Sequence, residues 1–243
     1  MLSAVLPVYN ECNRLEACVS RLEGYLWQHY EPFEIIVAED GSTDGSAEIA
    51  RQIACRDPNV VLLQSDRRLG RGTSLAQALN IARGDYVVYM DADLATDLRH
   101  VRELVEGLAN GATVATGSRL MQNSQAQRPA ARDVASRGYN ALVRLLFGSQ
   151  LCDHQCGFKG FDRRAVLPLL GQVRDNHWFW DTELLIVCQK AGLRVCEFPV
   201  HWVHNGGDAL NVSKVRVLRD SWQMGLKLLR LKYRLTVHGL EVH

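Results

Sequence analysis

The first half of the chain alternates two kinds of segment, and this alternation limits the fold more than any other feature. "LSAVLPV", "FEIIVAED", "VVLLQS", "DYVVYMDAD" and "ATVATGS" are short, almost continuously apolar runs. Between them, "RLEACVSRLEGYLWQHY", "GSAEIARQIACR", "GTSLAQALNIARG" and "LRHVRELVEGLANG" read as helices, with Leu15, Val19, Leu22 and Leu26 at helical spacing in the first. A strand that is apolar at every position is buried on both faces. Such strands, alternating with helices, predict an α/β fold with a mostly parallel sheet and helices on both faces. Thr43, Asp44 and Ser46 are candidate caps for the second helix, and Gly84 is a candidate left-handed terminator of the third.

Ligands of parallel sheets gather at the carboxyl ends of the strands. Three runs end there in polar residues: Asn10 and Glu11, Glu39 and Asp40, and Asp91 and Asp93. Asp91 and Asp93 are two apart on an extended segment and so face the same way, with small Ala92 between them. Hard divalent cations take oxygen ligands, often one or two carboxylates together with substrate phosphates. The competing account, acids capping the next helix, suits Asp97 well and Asp91 poorly. Asp40 is placed to accept hydrogen bonds from a base or a ribose hydroxyl. "RRLGRGTSL" sets Gly70 and Gly72 beside Arg67, Arg68 and Arg71, which suits either a diphosphate-wrapping turn or a solvated basic one. The chain has no G-x-G-x-x-G site and no Walker loop.

A net charge of +1 over 243 residues excludes a general polyanion trap and places any basic surface locally. The seven cysteines are odd in number and scattered, which indicates a reduced, intracellular chain. Cys152, His154 and Cys156 have no second pair at structural-zinc spacing and read as packing or loop residues. "MLSAVLPVYNE" turns polar too soon for a secretory signal, and no run approaches the roughly 18 to 20 apolar residues of a membrane span.

The second half is less regular. "RDVASRGYNALVRLLFG" is an amphipathic helix, "DHQCGFKGFDRRAV" a loop, strand and helix start, and "WFWDTELLIVCQKAG" a helix. "LRVCEFPVHWVH" reads as two strands bent at Pro199, "NGGDALN" as a loop, and "SKVRVLRDSWQMGLKLLRLKYRL" as a long basic helix.

In order and spacing, "LPVYNE", "AEDGSTDGS", "RRLGRGTSLAQALNIARGDYVVYMDADL" and "GSR" resemble the family 2 glycosyltransferases of GT-A (Rossmann-like) fold. "DHQCGFKGF", "WFWDTELL", "KAGLRVCEFPVHW" and "NVSKV" resemble the polyprenyl-phosphate (dolichyl-phosphate) sugar synthases, the glucosyl type more than the mannosyl. The resemblance implies one domain over 1–243, with a nucleotide-sugar-binding half (1–120) and an acceptor-binding half (121–243). It implies an inverting hexosyltransferase that uses Mg²⁺ or Mn²⁺. Pro7, Tyr9, Glu11, Asp40, Asp91 and Ala92 would hold the nucleotide sugar, UDP-glucose before GDP-mannose. Asp91 and Asp93 would bind the metal. Catalytic roles fall to Asp93, Arg119 and Asp181. Where the mannosyl enzymes often carry a glutamine that helps hold the metal, this chain has Ala95; water or Asp97 would then stand in.

The acceptor so implied is a polyprenyl (dolichyl) phosphate. A phosphate monoester is already ionised near neutral pH, so cations matter more than a general base. Arg119, Arg132, Arg137 and Lys214 are the candidates. A hydroxyl acceptor would need a carboxylate, and Asp181 is the choice, unless it merely caps its helix. The two amphipathic helices suit a membrane surface or the domain core. The first carries Tyr139, Leu142, Leu145, Leu146 and Phe147; the last carries Val215, Leu218, Trp222, Leu226, Leu229 and Tyr233 among basic residues. The resemblance tips this toward a peripheral enzyme at the cytoplasmic face of a membrane, without a nucleic-acid partner. Two alternatives stay open: a soluble family 2 transferase acting on a saccharide or other hydroxyl, and a non-catalytic nucleotide-sugar-binding or membrane-docking subunit. The oligomeric state is not readable.

Overall fold

The apolar runs form strands and the periodic segments form helices close to where the sequence places them. The computed structural model describes residues 1–127, 129–203, 214–237 and 239, with backbone alone over 214–222. The first half gives β1 (Leu2–Val8), α1 (Leu15–His29), β2 (Phe33–Asp40), α2 (Ser46–Arg56), β3 (Val60–Ser65), α3 (Arg71–Ile81) and β4 (Tyr86–Met90). A short 3₁₀ turn (Leu98–His100), α4 (Val101–Ala109) and β5 (Val114–Ser118) follow. The second half gives β6 (Gln125–Gln127), α5 (Ala130–Phe147), β7 (Phe158–Asp162), α6 (Arg163–Val166), α7 (Trp180–Lys190), β8 (Val195–Pro199), β9 (His201–Val203) and α8 (Lys214–Val237).

Among the described residues seven strands form one sheet in the order β3-β2-β1-β4-β7-β5-β8. Every residue of β2 is buried, as a strand covered on both faces requires. One apolar cluster packs α1, α2 and α4 on one face, around Leu15, Leu22, Leu26, Ile53 and Leu104. A second packs α3 and α7 on the other, around Leu75, Leu79, Leu184 and Leu185. The sheet is mostly parallel, as expected; the one reversed strand among the described residues is β7, which runs antiparallel to both β4 and β5. That insertion brings "CGFKGF" beside the end of β4.

Gly84 does not end α3 as a left-handed cap. The helix stops at Ile81, and Gly84 instead lets the chain pass close to β1, where an added Cβ would meet Ser3 N at 2.7 Å. The cap of α2 is Gly45, at φ +95°, while Asp44 turns back to accept from Ser46 N at 3.0 Å.

Candidate active site

The carboxyl edges of β1, β2 and β4 open into a cleft of about 230 Å³. Pro7, Tyr9, Glu11, Asp40, Asp91, Ala92 and Asp93 all line it. Parallel register is what gathers them: Val8 stands opposite Glu39, and β1 also pairs with β4, so three polar strand ends share one edge.

The turn after β4 is tightly determined. Leu94 N donates to Asp91 O at 3.0 Å and Ala95 N to Asp93 Oδ1 at 3.0 Å. Leu94 takes φ +46°, a left-handed conformation costly for a branched side chain. From outside, Val203 N donates to Ala95 O at 2.8 Å and Asp97 N to His201 O at 3.1 Å, stapling the turn to β9. Gly157 stands against Asp91, where an added Cβ would meet Asp91 Oδ2 at 2.1 Å. The Asp97 carboxylate caps the 3₁₀ turn through Arg99 N at 2.9 Å and pairs with the Arg99 guanidinium at 2.6 Å.

Burial pushes the Glu11 carboxyl above its ordinary range; Arg14, at 2.9 Å, pulls it down, while the charges of Asp93, Asp44 and Asp91 add to the rise. This corner of the cleft is therefore rich in negative charge and suits a hard divalent cation. Among the described residues no three His, Cys, Asp or Glu side chains are grouped to hold a metal by themselves. An ion here would share its ligands with a second anionic molecule, as Mg²⁺ commonly does with phosphates.

Opposite the acids lies the "RRLGRG" turn, in which Arg67 and Arg68 are exposed and Gly70 is buried. Asp40 holds it, accepting from Leu69 N at 2.6 Å and Gly70 N at 2.9 Å. The Arg68 guanidinium stacks 3.8 Å over the Tyr9 ring. Arg71 is nearly buried and spans two carboxylates, Asp91 at 2.9 Å and Asp181 at 2.7 Å. Trp178 and His177, from the loop before α7, complete the wall.

Asp181 is neither a helix cap nor a free base. Phe179 occupies the cap position without a side-chain cap bond, and the Asp181 carboxylate, 3% exposed, turns inward. It accepts from the Tyr89 hydroxyl and pairs with Arg71 and, at 3.4 Å, with Lys159, which is wholly buried. Burial alone would raise its pKa, but Lys159, Arg71 and the Tyr89 bond outweigh it and hold Asp181 below the ordinary carboxylate range. A carboxylate so held is a poor acceptor of a proton at neutral pH. Sequence reading missed Lys159; its signal was a lysine inside the apolar "GFKGF".

The predicted acceptor cations do not converge on this cleft. Arg119 forms a forked pair with buried Asp153, at 2.7 and 2.9 Å, and its backbone N donates to the same carboxylate. Burial opposes ionisation of Asp153, yet Arg119 holds it down at about 2. Arg119 and Arg137 line a separate, open cavity of about 650 Å³, where Arg137 is also tied to Asp133 at 2.7 Å. Arg132 lies on α5, half-buried and in neither lining. The Lys214 side chain, and those of Val215, Leu218 and Trp222, fall outside the described residues.

Ser149, His154 and Asn140 have the atom order of a nucleophilic triad but are all buried. Asn140 uses its amide on Ser136 O, so its oxygen accepts from His154 Nδ1 at 2.7 Å, and Nε2 accepts from the Ser149 hydroxyl at 2.8 Å. With no access for a substrate, this is a clamp on the loop that leads to β7.

The site is thus a cleft over strand-end acids, in a largely parallel sheet with one reversed strand. The glycosyl transferase family 2 model matches residues 3–169, and the chain belongs to that family. Glycosyltransferase AglD of Haloferax volcanii is 49% identical over 241 residues, covering 97% of this chain. The dolichyl-phosphate beta-glucosyltransferase of Homo sapiens is 33% identical over 260 residues, covering 99%. The chain spans 38% of the first relative's length and 78% of the second's. Glucosyl-3-phosphoglycerate synthase from Mycobacterium tuberculosis, solved with Mn²⁺, UDP and glucosyl-3-phosphoglycerate, superposes with a TM-score of 0.71 at 21% identity. The match covers 95% of this chain and 79% of that one, and it supports the GT-A-like α/β fold.

Proposed function

We propose that this protein moves a hexose, with inversion, from a nucleotide sugar to a polyprenyl phosphate at a membrane surface, with UDP-glucose the favoured donor and GDP-mannose the next. The observation that carries the reading is the meeting of Pro7, Tyr9, Glu11, Asp40, Asp91, Ala92 and Asp93 in one cleft. Tyr9 and the Arg68 guanidinium stacked on it both line the cleft and offer flat surfaces for a base. Asp91 and Asp93 would hold the divalent cation, which supplies neutralisation of the charge growing on the departing diphosphate. Arg71, poised between Asp91 and Asp181, lies where a diphosphate would bring new oxygens to its guanidinium. Asp181 positions Arg71 rather than taking a proton.

The acceptor comes from the relatives, several of which are dolichyl-phosphate beta-glucosyltransferases. Its phosphate oxygen would form the new bond to the anomeric carbon as the bond to the diphosphate breaks, the electron pair leaving with the nucleotide. No base is required, which accords with the depressed Asp181. Arg119 lies near enough to Asp91 to feel its charge, and it shares its open cavity with Arg137. We assign the acceptor side to that cavity.

For the membrane, the two amphipathic helices divide their apolar stripes. Val143, Phe147, Leu228 and Leu231 pack between α5, α7 and α8, with Tyr139 and Leu146 against them. Leu142, Leu145, Leu226, Leu229 and Tyr233 stay exposed. No helix among the described residues is long and apolar enough to cross a bilayer. A peripheral position at the cytoplasmic face accords with both facts.

The test is a screen of UDP- and GDP-sugars against polyprenyl phosphate and against free saccharides, with Mn²⁺ or Mg²⁺. Glucosylated lipid phosphate is the expected product. Transfer to saccharides alone would replace the acceptor, and donor binding without turnover on any acceptor would favour a binding subunit.

A further inference from the structure

α8 shows three faces. Met224, Leu228, Leu231 and Leu235 turn inward, and Leu226, Leu229, Tyr233 and Val237 lie diametrically opposite, exposed. Between these two stripes, Lys227, Arg230 and Arg234 look across an open cleft of about 420 Å³ at the loop before α7. That loop supplies Arg174, and buried Phe179 and Leu231 form the floor. Two of the four cations are already matched: Lys227 with Asp175, and Arg234 with Glu183 at 2.6 Å. Arg174 and Arg230 are exposed and form no ion pair among the described residues. The cleft thus carries a surplus of two positive charges above an apolar floor. It opens beside Tyr233, 67% exposed, and Leu229, 57% exposed.

We propose that this cleft holds the phosphate headgroup of an anionic phospholipid, with the acyl chains running along the exposed Leu226–Leu229–Tyr233 stripe. The proposal rests on the membrane-surface part of the function above, and it assigns a lipid that is bound rather than consumed. The charge surplus matches a phosphodiester, and juxtaposed cationic and apolar surfaces suit a lipid–water boundary. The cleft is distinct from the donor site: its loop turns Arg174, Asp175 and Phe179 to this side and His177 and Trp178 to the other. One loop therefore forms a wall of both, so a seated headgroup would fix the donor cleft's orientation to the membrane.

The experiment is flotation of the whole chain with phosphatidylcholine vesicles, with and without phosphatidylglycerol. The wild type is compared with Arg174→Gln/Arg230→Gln and with a charge-matched control, Arg51→Gln/Arg102→Gln, on distant helices. Thermal melting checks that each variant folds. Anionic vesicles should bind the wild type and the control alike, and should bind the cleft variant roughly thirtyfold more weakly, two surface cations being lost. Equal binding of the cleft variant and the wild type overturns this assignment while leaving the membrane reading intact. No binding of the wild type to either vesicle overturns both. Equal binding of the wild type to neutral vesicles shows an apolar face without headgroup recognition and refutes the site. Binding that requires polyprenyl phosphate would make the cleft an acceptor site and refute the phospholipid.

Discussion

Asp91 stands where it does because residue 157 has no side chain. With a Cβ 2.1 Å from Asp91 Oδ2, Gly157→Ala should displace the carboxylate and lower kcat/KM for the nucleotide sugar roughly a hundredfold with little change in Tm. Steady-state kinetics beside thermal melting checks this. Arg71 occupies the same carboxylate from the other side. Arg71→Met should free Asp91, so that Mn²⁺ binds more tightly in the absence of nucleotide while UDP binds more weakly. Mn²⁺ titration by paramagnetic resonance and calorimetry with UDP measure the two effects, and Arg71→Lys should fall between wild type and Arg71→Met in both. The acids of this site were legible in the sequence because each ends a continuously apolar strand, a place where an unmatched charge needs a reason. Their protein partners were not legible. Arg71 meets Asp181 across 110 residues and Arg119 meets Asp153 across 34, distances over which local pattern carries no information.

Element boundaries followed hydrophobic period, but period alone does not say which of two apolar stripes meets the protein. On α8 both stripes are apolar, and only packing separates Leu228 and Leu231 from Leu226, Leu229 and Tyr233. Leu228→Ala and Leu231→Ala should each cost about 2–5 kcal/mol of stability. Leu229→Ser with Tyr233→Ser should stay within about 0.5 kcal/mol per site and weaken vesicle binding instead. Chemical denaturation and flotation on the same samples separate the two faces. The reversed direction of β7 was likewise hidden: a strand reads the same from sequence whichever way it pairs, and its partners β4 and β5 are both distant in sequence from it.

At the scale of the whole molecule, stability should depend on pH through His154. Burial, with Lys159 and Arg144 adding and Asp153 opposing, depresses it from 6.5 to about 3. The unfolded chain takes this proton below about pH 6.5 and the folded chain does not until about 3, so acidification across that window favours unfolding. This single group contributes at most about 1.4 kcal/mol per pH unit. Denaturation midpoints should fall from pH 7 to pH 5, and His154→Gln should flatten that fall. The central claim concerns the donor cleft, where strand-end carboxylates and a shared cation hold a nucleotide diphosphate. Calorimetric titration of UDP, with and without Mn²⁺, into the wild type and Asp93→Ala tests it most directly. Tight binding that needs Mn²⁺ in the wild type and is lost in Asp93→Ala is the predicted result; UDP affinity indifferent to both Mn²⁺ and the substitution would contradict it.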